Sequence, residues 1–209
     1  MTRRIAILVL STAVVASAAR ASATDYPVAG KLLTLRHNEA GSGALTIELR
    51  DPAIPVPAVD GPDDPSLAGL GITVFGGGQG DIVPSGALPG RLPGGWLTPR
   101  VSPKSVVFNY HATAAAGDGV RTVVLRTGPV LKLRIASSLL NLVPPEGAVA
   151  VRLTWGSVRV CALFDGAAVR FNDTHHFVAR DADAPAIADC DNATLLGVLR
   201  MLVEERYRA

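Results

Sequence analysis

Apolar and polar residues alternate along most of this chain. The segments KLLTLRH (31–37) and ALTIELR (44–50) show the period of two that is typical of half-buried β-strands. Further short runs of the same kind, separated by glycine and proline, occupy residues 71–76, 105–111, 121–127, 130–136, 148–156, 158–164 and 167–173. Short strands with regular turn signals between them predict an all-β fold. We expect an antiparallel β-sandwich, or a flattened barrel, of about 8–9 strands.

Two stretches rich in proline, glycine and aspartate interrupt this pattern. Residues 51–69 and 76–95 are predicted to be surface loops, because proline lacks the backbone donor that a central strand requires. Neither stretch contains the glycine and lysine spacing of a phosphate-binding loop.

The last segment, residues 191–209, changes to a helical period. Asp191 or Asn192 can cap a helix whose apolar side chains recur at helical spacing: Leu195, Leu196, Leu199, Leu202 and Val203. The apolar stripe must be covered, either by the sandwich itself or by a protein partner, and the sequence leaves both open.

The first 23 residues resemble a targeting segment rather than part of a fold. Arg3 and Arg4 precede an apolar run from Ile5 to Ala16, and small residues at Ala21 and Ala23 fit a cleavage site. These features predict a secretory signal peptide over residues 1–23, and hence a secreted or periplasmic protein. A retained anchor is the alternative, but the run is shorter than the roughly 20 residues that span ~30 Å of hydrocarbon. We therefore expect no transmembrane anchor after cleavage, and one domain over residues 24–190 followed by the helix.

Cleavage would change the charge of the protein. The whole chain carries 20 Lys and Arg against 18 Asp and Glu, but Arg3, Arg4 and Arg20 lie in the predicted signal. The remaining 17 basic and 18 acidic residues nearly cancel. A near-neutral chain predicts no basic surface for phosphate backbones, and hence no nucleic-acid partner.

The two cysteines, Cys161 and Cys190, enclose a segment that also contains adjacent histidines and several aspartates. In an exported chain, two cysteines with no third predict one disulfide. Closing a loop of this length is worth roughly 3–4 kcal/mol in the chain-entropy model. The alternative is a cysteine nucleophile that works with His175 or His176, which requires a free thiol.

No other group of residues has a recognised catalytic or metal-binding spacing, and we expect no cofactor. His175 and His176 are neighbours, so a strand would point them to opposite faces. A hydrolase site near Asp173, His175 and His176 is kept as an alternative, as is a cation site in the acidic segment formed by Asp181, Asp183, Asp189 and Asp191. A sugar-binding surface could use Trp96, Tyr110 and His111 with the loop over residues 76–99.

Several longer segments resemble a group of uncharacterised secreted bacterial proteins built from β-rich modules. They are YPVAGK (26–31), DPAIPVP (51–57), GPDDPSLAG (61–69), LVPPEGAVAVRLTWGSVRVCALFDG (142–166) and FVARDADAPAIADC (177–190). The resemblance covers roughly residues 26–190. It implies secretion and a β-sandwich, but it implies no activity, because the similar proteins have none that could be transferred.

The leading hypothesis is therefore an exported, non-enzymatic β-sandwich module with a binding or structural role in the cell envelope or outside the cell. The sequence leaves open whether it has an enzymatic activity, with the hydrolase and carbohydrate-binding alternatives kept beside the leading hypothesis.

Overall fold

The computed structural model describes residues 23–37, 43–76, 80–88, 90, 95–112, 119–137, 147–173 and 175–208. The predicted signal peptide lies outside the described residues, apart from Ala23. Within the described residues, no helix has the length and apolarity needed to cross a membrane.

The described chain consists mainly of β-strands. In chain order these are β1 (Thr24–Pro27), β2 (Gly30–His37), β3 (Gly43–Arg50), β4 (Leu70–Gly76), β5 (Gly80–Leu88), β6 (Arg100–Ser102), β7 (Ser105–His111), β8 (Val120–Arg126), β9 (Val130–Ser137), β10 (Val149–Trp155), β11 (Val158–Phe164), β12 (Val169–Asn172) and β13 (His176–Ala182). The helices are the single-turn α1 (Pro65–Ala68), the 3₁₀ turn Gly166–Ala168 and the C-terminal α2 (Asn192–Arg208).

The strands form two sheets. The smaller has five strands in the order β1-β11-β10-β4-β5, and the larger has eight in the order β12-β13-β2-β3-β9-β8-β7-β6. Neighbouring strands run antiparallel, except that β1 pairs with β11 in parallel. The predicted β-sandwich is confirmed, with two separate sheets rather than one flattened barrel.

Alternation along the strands builds the core between the sheets. On β3, for example, Leu45, Ile47 and Leu49 are fully buried, while the residues between them are exposed or half-buried. The inward positions of the other strands complete one continuous apolar cluster. Most side chains of this cluster are aliphatic, in keeping with the aromatic content of 5%, and Trp155, Phe108 and Phe164 are buried among them.

A second apolar cluster lies on the outer face of the five-stranded sheet, where α2 covers it. Leu195 and Leu199 of α2 are buried there, against the outward side chains of the sheet: Phe75, Ala150, Cys161 and Leu163. The molecule thus has three layers, a helix on a five-stranded sheet on an eight-stranded sheet. Within the described part of the chain, no helix or second sheet covers the outer face of the eight-stranded sheet.

Two carboxylates, of the buried Asp64 and the half-buried Asp63, organise the predicted loop over residues 51–69. Asp64 is completely buried and accepts hydrogen bonds from the Ser66 amide (2.7 Å) and from the Asp60 amide (2.9 Å). It caps α1, which the loop prediction missed and which begins with proline, as first turns of helices often do. Asp63 accepts from the amide and hydroxyl of Ser157, which ties the loop to the β10–β11 turn.

The structure corrects the prediction of a second loop over residues 76–95, because residues 80–88 form β5. The strand contains Pro84, which is tolerated there because β5 is the edge strand of its sheet. Residues 176–182, for which the sequence pattern predicted no strand, form β13 and pair with both β12 and β2. In β13, Phe177 and Ala179 are buried and Val178 and Arg180 point away, so the period of two was present in the sequence.

Replacing Leu199 by alanine should detach part of α2 from the sheet. The side chain is 1% exposed, so we expect its truncation to lower the free energy of unfolding by about 2–3 kcal/mol. The matched control is Met201→Ala on the same helix, where 59% exposure predicts a change of about 0.5 kcal/mol or less. Urea unfolding of the oxidised proteins measures both values. Equal effects of the two substitutions would contradict the docking of α2.

Candidate functional site

The cysteines lie where α2 begins. Cys161 is on β11 and Cys190 directly precedes the helix, with 5.6 Å between their Cα atoms and a bond between their sulfur atoms. Both residues are completely buried. Neither cysteine has a free thiol, so the cysteine-nucleophile alternative has no nucleophile in this structure. The bond instead fixes the first turn of α2 to the five-stranded sheet.

Asp173, His175 and His176 form the turn between β12 and β13. One carboxylate oxygen of Asp173 accepts hydrogen bonds from the backbone amides of His175 (2.7 Å) and His176 (2.6 Å). These amides, that of His175 first, hold the pKa of Asp173 below its ordinary value. Both histidines are exposed, and the ring of His176 lies edge-on to Phe171 at 6.0 Å. The three predicted residues are therefore close together, but their contacts shape a turn on an open surface.

Three of the four aspartates of the acidic segment make local structural contacts. Asp181 pairs with Lys31, Asp189 accepts from the amide of Asp191, and Asp191 caps α2 by accepting from the Thr194 amide at 2.7 Å. The amide of Thr194 is the main cause of the lowered pKa of Asp191. Across the described ranges, no three His, Cys, Asp or Glu side chains come together in a set that could hold a metal ion.

The aromatic residues proposed for sugar stacking pack against each other. Trp96 and Tyr110 are bridged across neighbouring chain segments, with their ring centroids 5.5 Å apart in an edge-to-face arrangement. Tyr110 is only 3% exposed and belongs to the main core, and Trp96 packs on that core. A ring buried in this way offers no open face for a sugar, so Tyr110 is corrected from a binding residue to a core residue. His111, the third residue proposed, is exposed at the end of β7.

A cleft of about 540 Å³ lies between α2 and the segment that follows β13. Apolar side chains line it beside charges of both signs, among them Asp165, Arg170 and Asp183. His175 and His176 are not among its lining residues. A hydrolase site near the histidines would require a pocket that they line, and this cleft is not such a pocket.

The strands of the eight-stranded sheet contain many more basic than acidic residues. They contain ten basic residues, which are Lys31, Arg36, Arg50, Arg100, Arg121, Arg126, Lys132, Arg134, Arg170 and Arg180. The same strands contain two acidic residues, Glu48 and Asp181. The near-neutral total charge thus conceals an uneven distribution, and the expectation that this protein has no basic surface is wrong.

Most of these basic residues share one face. Strand alternation places seven exposed cationic side chains on the side of the sheet away from the core: Arg36, Arg50, Arg100, Arg126, Lys132, Arg134 and Arg180. Among the outward positions of the described strands of this sheet, only Glu48 carries a negative charge. We call this surface the cationic face.

The cationic face has a regular arrangement because the strands are in register. A row of paired residues crosses six strands and contains Val178, Thr34, Thr46, Arg134, Thr122 and His111. The next row contains Arg180, Leu32, Glu48, Lys132, Val124 and Asn109. Arg134 at the centre therefore has a threonine on each side.

Glu48 partly neutralises this face. Its carboxylate accepts from Nζ of Lys132 at 2.9 Å and from Nη2 of Arg50 at 3.2 Å. The hydrogen bond from Lys132 is the main reason that the pKa of Glu48 is lowered, although partial burial opposes the shift. The remaining cationic side chains still outnumber this carboxylate, so the face can hold several anionic groups at once.

Substituting Glu48 by glutamine should change the pH dependence of stability. Because the folded pKa of Glu48 lies below its ordinary 4.5, the carboxylate stabilises the fold above that pH and loses its effect as the pH falls through the lowered value. Urea unfolding from about pH 7 to about pH 3 should show wild type more stable than E48Q by at most about 1 kcal/mol, a difference that shrinks below about pH 5. A difference that stays constant down to pH 3 would contradict the ion pairs of Glu48.

No family model, curated protein or solved structure matches this chain. The resemblance to secreted bacterial modules therefore stays a prediction. The geometry and charge of the residues themselves carry the functional argument.

Proposed function

We propose that this protein is an exported, non-enzymatic β-sandwich module that has a binding or structural role in the cell envelope or outside the cell. The observation that carries the proposal is the bond between Cys161 and Cys190. Disulfides persist in oxidising compartments and are rare where cellular thiols stay reduced. The signal-like segment over residues 1–23 supports the same compartment.

A binding role fits the surface better than a catalytic one. The residues with the best claim to chemistry, Asp173, His175 and His176, make backbone contacts within a turn and stand in solvent. Catalytic acids and bases are usually held in a cleft where burial and neighbouring charges tune them. The cationic face, in contrast, is broad and rests on a sheet whose other side is the core of the sandwich.

Intact mass of the protein expressed with its complete N-terminus tests this proposal. We expect the exported protein to lack residues 1–23, to be two hydrogens lighter than the sum of its residues, and to take up a thiol label only after reduction. The control is the C161S/C190S variant, whose mass should not respond to reduction. A chain that stays inside the cell, or that arrives outside with two thiols open to the label, would refute the exported, disulfide-bonded form.

A further inference from the structure

We propose that the cationic face binds an acidic polysaccharide, a polymer of sugars that bear carboxylate or sulfate groups. The inference deepens the binding role proposed above and rests on it. It concerns the cationic side chains on the outward positions of the eight-stranded sheet, which the sequence analysis did not connect with one another.

The spacing of the charges favours a polymer over a single small anion. Same-face residues lie about 7 Å apart along a strand and neighbouring strands about 5 Å apart. By the register, Lys132 and Arg134 are next to each other on β9, and Arg50 and Arg126 each lie one strand and one row from Lys132. Separations of about 7–9 Å are comparable to the Debye length of about 8 Å at physiological salt, so the potentials of these charges overlap. A ligand with repeated negative groups can contact several of them at once.

The side chains between the charges suit sugar hydroxyls. Thr46 and Thr122 flank Arg134, and Thr34 and Asn109 occupy outward positions on β2 and β7. Hydroxyl and amide groups both donate and accept hydrogen bonds. Guanidinium groups bind carboxylate and sulfate-like oxyanions through paired hydrogen bonds. The face therefore offers partners for both the charged and the neutral groups of an acidic sugar chain.

The described residues of this face include few of the exposed apolar and aromatic side chains that membrane-surface proteins and single-strand binders use. Of the exposed large apolar side chains in the described residues, only Phe171 belongs to outward positions of this sheet, and it is on the edge strand β12. Surface-bound membrane proteins insert such side chains into the lipid boundary, and single-strand binders stack bases on aromatic rings. No Phe, Tyr or Trp occupies the outward positions from β13 to β6 in the described residues.

The layer formed by α2 and the adjacent cleft carries more negative charge than the cationic face. Around α2 and the cleft the described residues carry acidic side chains, among them Asp165, Asp183, Asp189 and Asp191. Arg170 and Arg200 lie in the same region, so its charge is mixed, and a polyanion is attracted more strongly to the cationic face although the whole chain without its first 23 residues is near neutral.

Calorimetric titration of the oxidised, exported protein with polygalacturonate tests the inference, with neutral dextran as the control ligand. We expect binding of polygalacturonate alone, weakening by about tenfold between about 50 mM and about 200 mM NaCl. R134Q should weaken binding by about fivefold, and R126Q/R134Q by about 20-fold. R200Q on α2 removes the same charge from an exposed site on the opposite layer and should change the affinity by less than about twofold.

The variant E48Q separates a specific effect from damage to the fold. It removes the one carboxylate of the cationic face, so it should strengthen polygalacturonate binding by about twofold to threefold while slightly lowering stability. A misfolded variant would lose affinity instead.

Three outcomes would overturn the inference. The first is no binding of polygalacturonate, and the second is an equal loss of affinity in R134Q and R200Q. The third is tighter binding, sensitive to R134Q, to phosphatidylglycerol vesicles or to a single-stranded oligonucleotide, which would assign the face to a membrane or to nucleic acid. The mass measurement does not depend on any of these, so failure of the ligand assignment and failure of the exported form are distinguishable.

Discussion

The eight-stranded sheet must bury one face, and the rest of the structure depends on how that constraint is met. Leu33, Leu45, Leu133 and their neighbours fill the inward positions and hold the sandwich together. At a period of two, every inward leucine leaves an outward position that the core does not specify. Ten of these positions in the described strands carry arginine, lysine or threonine, and only one carries a carboxylate. The same alternation that stabilises the fold therefore creates the cationic face, and the rigidity of the sheet keeps its charges in fixed register.

The five-stranded sheet differs from the eight-stranded sheet because apolar clusters lie on both of its faces. The core lies on one side and α2 on the other, with the Cys161–Cys190 bond between the helix and β11. Carboxylates of the connecting segments accept hydrogen bonds from nearby backbone amides, as Asp64 does at the start of α1 and Asp191 at the start of α2. The acidic residues thus stabilise turns and caps, while the basic residues lie on an open sheet. A nearly neutral chain becomes a molecule with one cationic side.

Much of the fold follows from the sequence because alternation is a local signal. Strands such as residues 31–37 and 44–50 were predicted within one residue of β2 and β3. The misses have physical causes. Pro84 indicated a loop, because the local sequence does not show whether a strand lies at the edge of a sheet, where proline is tolerated. The strand β13 was missed because aspartates surround the alternating residues Phe177 and Ala179. The cationic face was missed because it arises from long-range pairing. The sequence predicts strands that contain Arg36, Arg126 and Arg134, but only the strand order brings these side chains to one surface.

The most direct test of this account is to observe which side chains respond to the ligand. In NMR spectra that resolve arginine side-chain N–H groups and backbone amides, titration with oligogalacturonate should shift the signals of Arg36, Arg126 and Arg134 and the amides of β3, β8 and β9. The signals of Arg200 and of α2 should stay in place. Shifts confined to α2, or to the cleft around Arg170 and Asp183, would contradict the assignment of binding to the eight-stranded sheet.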